Sequence, residues 1–266
     1  MKYSFSRKQL AIPYAIFLVL FVILPLVVVL FYGFTDGDGN ISFHNFIAFF
    51  QSKKTVGTLL YSLVIAVITT VICLLLAYPT AYILAKFKVK TGPAMLMLFV
   101  MPMWINFTLR ITALKEILDL LEGNLAMHSY ANTIICMVYD FLPFMILPIY
   151  NTIAKLDNSY IEAAEDLGAS KAYVFMRVIL PLTLPGIVSG VTMVFLPSMT
   201  NYVVLDMVYN STYIMGSLIG SYFSSYDWHN GSVISIILLI IIGIITAISA
   251  RFTETGSRGS KRSAIN

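Results

Sequence analysis

Long apolar stretches without charged residues dominate the sequence and alternate with short polar segments. A helix that crosses the hydrocarbon core of a bilayer needs about 20 mostly apolar residues, and it satisfies its backbone polar groups within its own segment. The pattern therefore predicts an all-α polytopic membrane protein with six transmembrane helices. The predicted spans cover residues 12–34, 56–85, 94 to beyond 109, 130–150, 186–205 and 232–250.

The composition supports a membrane protein. Hydrophobic residues make up 59% of the 266 positions. Charged residues make up 11%, whereas a typical soluble domain has about 25%. Cys73 and Cys136 lie inside apolar runs without a partner motif, so we interpret them as small buried hydrophobic residues. The three histidines are scattered along the chain, and no metal site is predicted.

The basic residues are distributed unevenly between alternate loops. If the N-terminus is cytoplasmic, only four of the 17 lysines and arginines fall in outer segments: Lys53, Lys54, Arg110 and Lys115. Cytoplasmic loops of membrane proteins carry the excess of Lys and Arg, so both termini are predicted to be cytoplasmic. The net charge of +4 then reflects this topology, and no nucleic-acid partner is implied.

This topology divides the chain into a cytoplasmic N-terminus (1–11), a transmembrane domain (12–252) and a polar tail (253–266) that we expect to be disordered. The transmembrane domain includes a cytoplasmic loop, 151–185, and an outer loop, 207–231. The first apolar run is too long for a signal-peptide core, and no small-residue cleavage site follows it. We therefore expect a retained helix.

The cytoplasmic loop has the sequence features of two short helices. Ser159 and Glu162 fit a capping box, which predicts a first helix that ends just before Gly168. Gly168 suits the left-handed residue that terminates a helix, and Ser170 can cap a second helix that stops before Pro181. Physical reasoning leaves two interpretations open: a docking surface for a protein partner, or an amphipathic hairpin lying on the membrane surface.

The same loop carries a recognisable motif. Glu162, Ala163 and Ala164 are followed after three residues by Gly168, and an Ile-Leu-Pro tripeptide begins eleven residues after that glycine. This pattern resembles the EAA loop of ABC importer permeases. Three further stretches are similar to the spermidine/putrescine permeases of that family: YPTAYILAK (78–86), MPMWINFTLRI (101–111) and FLPFMILPIYNTIAKLD (141–157). The resemblance covers most of the chain from the second helix to the fifth.

The resemblance implies the type I ABC importer permease fold in a bacterial inner membrane, and uptake of polyamines. In that family the loop docks on a cytoplasmic ATPase. The residues assigned to ATPase coupling by the resemblance are Glu162, Ala163, Ala164, Asp166, Gly168, Ala169 and Lys171. The implied partners are a homodimeric ABC ATPase, a second, PotC-like permease subunit, an extracytoplasmic solute-binding protein and membrane lipid.

The sequence lacks the motifs of an enzyme. No G-x-x-x-x-G-K-[ST] phosphate loop occurs, and the stretch Gly168-Ala169-Ser170-Lys171 has the wrong spacing for one. The H-E-x-x-H and G-x-S-x-G patterns are also absent from the sequence. We therefore expect a transport subunit without a cofactor of its own, and a partner ATPase that binds ATP and Mg²⁺.

A path for polyamines needs carboxylates and aromatic faces, because cation–π contacts replace part of the hydration that these polycations lose. The residues predicted to line it are Trp104, Asn106, Asp140, Tyr202 and Asp206. A charge at a helix centre costs roughly 2.5–3.5 kcal/mol on insertion scales. Asp140 is therefore expected either to face the path or to be a protonated group hydrogen-bonded to a neighbouring helix. Trp104 and the aromatic outer loop could instead form an interfacial belt or contact the binding protein.

Arg110 works against a wholly acidic path. We expect it to pair with an outer acidic residue or to help seat the binding protein. The apolar positions 114, 117, 118 and 121 follow it with helical spacing and predict a short interfacial helix.

Two other functions remain open at this point. The first is the same fold with a different substrate, such as an amino acid, thiamine or ferric ion. The second is a stand-alone secondary transporter that uses Asp140 as a proton or sodium site. The EAA-like loop argues against the secondary transporter, which has no need to dock an ATPase.

Overall fold

The structure is a computed structural model that describes residues 11–86, 92–208 and 211–263. Within these ranges the regular structure is helical, apart from one isolated antiparallel bridge between Thr35 and Ile41. The α-helices are α1 (Ala11–Leu18), α2 (Leu24–Gly33), α3 (His44–Gln51), α4 (Lys53–Lys86), α5 (Gly92–Val100), α6 (Phe107–Glu122), α7 (Ser129–Ala154), α8 (Ser159–Asp166), α9 (Lys171–Val174), α10 (Leu180–Thr200), α11 (Tyr202–Met207), α12 (Met215–Ser224) and α13 (Trp228–Ser263).

Four short segments of other helical types join these α-helices. Wider π-turns at Val19–Ile23 and Phe175–Ile179 connect α1 to α2 and α9 to α10. Tighter 3₁₀ turns at Met101–Trp104 and Leu125–His128 follow α5 and precede α7.

The described helices include six candidate membrane spans. Five segments are long and apolar enough to cross a bilayer: Ile12–Gly33, Lys53–Lys86, Leu125–Ala154, Lys171–Thr200 and Trp228–Arg251. The sixth candidate is a broken pair, Gly92–Trp104 and Phe107–Glu122, bent by 99°. The all-α membrane fold is confirmed.

The predicted third span, from residue 94 to beyond 109, is not one straight helix but is broken shortly after Pro102. The chain leaves the helix at Ile105, whose backbone is extended (φ −79°, ψ 144°). A new helix starts after Asn106, because its side-chain oxygen accepts hydrogen bonds from Thr108 N at 2.9 Å and Leu109 N at 3.4 Å. An Asn in this position satisfies two amide groups that have no partner within the helix.

The described chain divides into two compact units. The first comprises the residues up to Gly57 together with Ser217–Ile241. In this unit the Tyr32 carbonyl lies 2.9 Å from the Nδ1 atom of His229. Gly33 lies against Ile236 so closely that a Cβ atom would overlap that side chain. These contacts hold the end of α2 against the start of α13.

The second unit, Thr58–Gly216 with the residues from Ile242 onward, contains the main core. α7 is its central element, because 56% of the most apolar part of the Leu125–Ala154 segment is buried within the chain. Cys73 of α4 and Cys136 of α7 are both buried and reduced, which confirms their interpretation as small hydrophobic residues.

Close packing of α7 on α10 depends on two glycines. A Cβ atom at Gly186 would lie 2.8 Å from the Pro148 carbonyl oxygen, and one at Gly190 would lie 3.2 Å from the Met145 carbonyl oxygen. The Gly186-x-x-x-Gly190 spacing in the sequence predicts such a contact, and it is confirmed. At Gly243, by contrast, a Cβ atom would meet nothing within 4 Å in the described part of this chain.

The tail differs from the disordered segment that its composition predicts. The described part, to Ser263, continues α13 without a break. Residues 253–263 contain no proline, and they follow an apolar helix that is already formed. Extending such a helix requires only propagation, which is far less costly than nucleation.

Candidate functional site

The loop between α7 and α10 makes a sharp turn at Gly168. Gly168 has a φ of +78°, the left-handed conformation that favours glycine. Its amide donates to the Glu165 carbonyl at 2.9 Å, and the Ala169 amide donates to the Ala164 carbonyl at 3.1 Å. These two bonds form a Schellman motif, which ends α8 and reverses the chain direction. The prediction that Gly168 ends the first helix in a left-handed conformation is confirmed.

The start of α8 is capped differently from the prediction. Ser159 is the first residue of the helix rather than its cap, and the predicted capping box with Glu162 is not formed. Asn158 already has helical dihedral angles (φ −66°, ψ −22°), so the chain enters the helix early. Asp157 takes the capping role, because its Oδ1 accepts a hydrogen bond from Ser159 N at 3.0 Å. This bond from the Ser159 backbone holds the pKa of Asp157 below its ordinary value.

The second short helix begins as predicted but does not stop before Pro181. The Ser170 side chain accepts a hydrogen bond from Tyr173 N at 3.3 Å and caps α9. α9 then continues through the π-turn Phe175–Ile179 into α10, with Pro181 in its first turn. The candidate spans Leu125–Ala154 and Lys171–Thr200 leave residues 155–170 between them, within the predicted loop 151–185.

The turn presents the predicted coupling residues together on one protein surface. Glu162, Ala163, Asp166, Gly168 and Lys171 are exposed, and Ala164 and Ala169 are half-buried. An open hollow of about 590 Å³ lies between α8 and α9, lined by Ala164, Leu167, Gly168, Ala169, Ser170 and Tyr173.

The chemistry of this surface suits a protein partner. Leu167, beside the hollow, is 89% exposed, and Tyr173 is also exposed. Small alanine side chains allow a partner to approach closely, and exposed apolar side chains next to exposed acids are typical of a contact surface. Glu162 and Asp166 can pair with basic groups on such a partner.

The five residues predicted for a substrate path fall into two groups. Trp104 (78% exposed), Tyr202 and Asp206 are exposed. Tyr202 and Asp206 lie four residues apart in α11, which packs against α6 and α7. Asp140 is buried in α7, and Asn106, although exposed, uses its side-chain oxygen to cap α6.

Asp140 has a partner that its sequence position did not reveal. It forms an ion pair with Arg110 of α6, and both side chains are almost completely buried. The guanidinium of Arg110 also lies 6.0 Å from the centre of the Tyr139 ring. One expected role of Arg110, pairing with an acid, is thus observed, although the acid lies within a span rather than in an outer loop.

A second polar contact joins α6 and α7 near their connection. The Asn132 side-chain amide donates to Glu122 Oε2 at 2.9 Å and to the Leu125 carbonyl at 3.3 Å. Sequence reasoning missed this contact. A buried Asn in an apolar run shortly after a Glu was the available signal, because buried polar groups require partners.

The predicted outer loop contains more regular structure than expected. α12 occupies Met215–Ser224. Asp227 accepts hydrogen bonds from the backbone and side chain of Asn230, at 3.1 Å and 2.8 Å, at the start of α13. Tyr226 and Trp228 are exposed and their rings lie 6.3 Å apart.

Sequence comparison assigns the chain to a family of transport proteins. Residues 4–256 match the family of binding-protein-dependent transport system inner membrane components. The chain belongs to this family. Membership makes it a multi-pass inner-membrane transport component.

Several curated relatives of this inner-membrane component have a named substrate. The spermidine/putrescine transport system permease protein PotB of Haemophilus influenzae is 35% identical, with 96% of each chain covered. PotB of Escherichia coli is 40% identical over 70% of this chain and 74% of the relative.

Solved structures of ABC importers share the fold of this inner-membrane component. A chain of a bacterial alginate ABC transporter, crystallised in complex with an alginate pentasaccharide-bound periplasmic protein, superposes with a TM-score of 0.72 at 14% identity. The match covers 92% of this chain and 94% of that one. A chain of the inward-facing MetNI methionine ABC transporter gives a TM-score of 0.58 at 17% identity, covering 77% of this chain and 99% of that one. The predicted permease fold is confirmed.

Proposed function

We propose that this chain is a transmembrane permease subunit of an ATP-driven ABC importer that brings polyamines such as spermidine and putrescine into the cytoplasm. The single observation that carries the proposal is the exposed α8–α9 turn, where the EAA residues and Gly168 form a compact docking surface. The substrate class is supported by the two PotB relatives described above.

The chain itself carries out no chemical reaction in this proposal. ATP and Mg²⁺ are bound by a partner, a homodimeric ABC ATPase in the cytoplasm, which seats on the turn between α8 and α9. Both termini of this chain are cytoplasmic, in agreement with the distribution of Lys and Arg. A second, PotC-like permease subunit completes the pathway, and a solute-binding protein delivers the substrate from the opposite side of the membrane.

The proposed mechanism is alternating access. Closure of the ATPase dimer on binding ATP displaces the turn around Glu162–Lys171, and the spans that continue from it, α7 and α10, move with it. Tight packing at Gly186 and Gly190 makes α7 and α10 move as one body, because closely packed helices resist independent sliding. The path then opens to the loaded binding protein, and hydrolysis resets it.

The proposed substrate path uses the exposed group of residues. Trp104, Tyr202 and Asp206 offer aromatic faces and a carboxylate, which together replace part of the hydration shell of an alkylammonium group. Asp140 and Asn106 have structural partners in the same chain. We assign them to holding α6 in place rather than to contacting the substrate.

The pairing of Asp140 also argues against an ion-coupled secondary transporter. Such a transporter would need a carboxylate that is free to take up a proton or a sodium ion. Asp140 is the candidate that the sequence offers within a span, and it is neutralised by Arg110.

The test is uptake of labelled spermidine and putrescine in cells with and without this chain, with the neighbouring subunits present. We expect uptake to disappear on deletion and to resist competition by amino acids. Uptake that persists without the chain would overturn the substrate assignment. Uptake by this chain without an ATPase would overturn the importer mechanism.

A further inference from the structure

The last turns of α4 carry three side chains on one face that contact the segment 156–183, which contains α8 and α9 and which we call the coupling loop. Tyr78, Tyr82 and Lys86 are spaced at intervals of four residues, so they lie above one another along the helix. We call these three residues the α4 stripe. Its members contact both arms of the loop, the arm that enters α8 and the arm that leaves α9.

Lys86 holds the arm that enters α8. Its Nζ donates to the Asn158 side-chain oxygen at 2.6 Å and to the Leu156 carbonyl at 3.3 Å. Asp157, between these two residues, is the carboxylate that caps α8 through Ser159 N. One ammonium group therefore fixes the short turn that sets the direction of α8.

Tyr78 and Tyr82 hold the arm that leaves α9. The ring of Phe175, the first residue of the π-turn, lies edge-on to both tyrosines, at 5.7 Å from Tyr78 and 5.9 Å from Tyr82. The Tyr78 hydroxyl also lies 3.0 Å from the Thr183 hydroxyl, and both residues are buried. Edge-to-face aromatic pairs and a buried hydrogen bond fix the geometry of this arm.

We propose that the α4 stripe is a positioning device that transmits displacement of the coupling loop to α4. The inference rests on the proposed function, in which the ATPase docks on this loop. The two arms of the loop continue into α7 and α10. The stripe connects a third span, α4, to both arms. A push on the turn at Gly168 therefore moves α4 as well as α7 and α10.

The test compares Lys86→Met with Lys155→Met. Lys155 is an exposed lysine at the end of α7, next to the same loop, so it controls for the loss of a positive charge. The assembled transporter is reconstituted, and three quantities are measured: ATPase co-purification, ATP hydrolysis and uptake per ATP hydrolysed. Gly168→Val is measured in parallel.

We expect Lys86→Met to assemble with the ATPase and to hydrolyse ATP, with uptake per ATP reduced about three- to tenfold, the size expected for losing one typical, solvent-exposed hydrogen bond. Lys155→Met should match the wild type. Asn158→Ala should lower the ratio in the same direction, and the double variant should be no worse than Lys86→Met, because Lys86→Met already removes the contact with Asn158. Lys86→Arg should restore part of the ratio.

Three outcomes would overturn the inference or its basis. A normal ratio in Lys86→Met with a lowered ratio in Gly168→Val would overturn the role of the stripe and leave the proposed function standing. Normal ratios in both would overturn the part of the proposed function in which the ATPase acts through this loop. Lower membrane levels of both Lys86→Met and Asn158→Ala, with an unchanged ratio, would make these residues purely structural.

Discussion

Arg110 of α6 and Asp140 of α7, thirty residues apart in the sequence, form a buried ion pair that joins the two helices after the break at Asn106. Their side chains are only 6% and 4% exposed. Among the described atoms of the chain, the Arg110 Nε and Nη1 atoms have no hydrogen-bond partner, so Asp140 is the principal compensation for the guanidinium charge. The ion pair lies near the start of α6, and the Glu122–Asn132 contact lies at the end of α6. Both ends of α6 are therefore connected to α7.

Removing one member of this pair should cost stability. Asp140→Asn leaves a buried guanidinium without a counter-charge, so we expect a loss of about 3–5 kcal/mol. The double variant Arg110→Met/Asp140→Leu should recover most of it, because it removes both buried charges. Thermal unfolding of the purified complex in detergent measures both effects.

Asp206→Asn is the matched control for this experiment. Its carboxylate is exposed, so stability should not change, whereas polyamine uptake should fall if Asp206 contacts the substrate. Normal stability with reduced uptake in Asp140→Asn would instead indicate that Asp140 contacts the substrate.

Asn106 should behave as a helix cap. Asn106→Ala removes the oxygen that accepts from Thr108 N and Leu109 N, and we expect it to lower stability by about 0.5–2 kcal/mol. Asn106→Asp keeps a capping oxygen and should retain both stability and uptake. Equal loss of uptake in the two variants, with stability unchanged, would indicate substrate contact instead.

The α7–α10 contact should not tolerate a methyl group. In Gly186→Ala the new Cβ would meet the Pro148 carbonyl at 2.8 Å and the Thr152 side chain. Such overpacking typically costs about 1–3 kcal/mol. Gly243→Ala is the control, because the space there is open and alanine favours a helix over glycine by about 0.5–1 kcal/mol. The unfolding temperature should fall for Gly186 and stay level or rise for Gly243, and equal shifts would contradict the close contact.

The cap on α8 should depend on pH. The folded pKa of Asp157 is lowered by its hydrogen bond to Ser159, so the cap is fully present above the ordinary aspartate pKa of about 3.9 and is lost as the pH falls through the lower folded value. Hydrogen exchange at the Ser159 amide, corrected for its intrinsic rate, should accelerate across that acidic window. In Asp157→Ala the exchange should be fast throughout, and persistent protection in that variant would contradict the cap.

Local signals along the sequence predicted much of the fold and of the coupling loop. Uninterrupted apolar runs mark the spans, because only a helix is stable in lipid at that length. Gly168 and Ser170 were identified correctly, because a left-handed turn and a helix cap each depend on one residue type and its immediate neighbours.

Features that depend on distant or competing partners could not be predicted in this way. The pairing of Asp140 with Arg110 joins two helices, and nothing in either segment specifies the other. At α8, Ser159 and Asp157 compete to cap the same end, and the early helical conformation of Asn158 decides in favour of Asp157. In the third span the chain leaves the helix at Ile105, three residues after Pro102, and Asn106 caps the helix that follows; the 99° bend between the two helices has no local signal in the sequence.

The most direct measurement of the central claim is uptake per ATP hydrolysed in reconstituted transporter carrying Gly168→Val. A β-branched residue at φ +78° is strained by about 1–2 kcal/mol, so the turn should leave its docked geometry and the ratio should fall about tenfold while the protein still inserts. Gly168→Asn, which tolerates this conformation, should stay close to the wild type. A normal ratio in well-inserted Gly168→Val would contradict a coupling role for the loop.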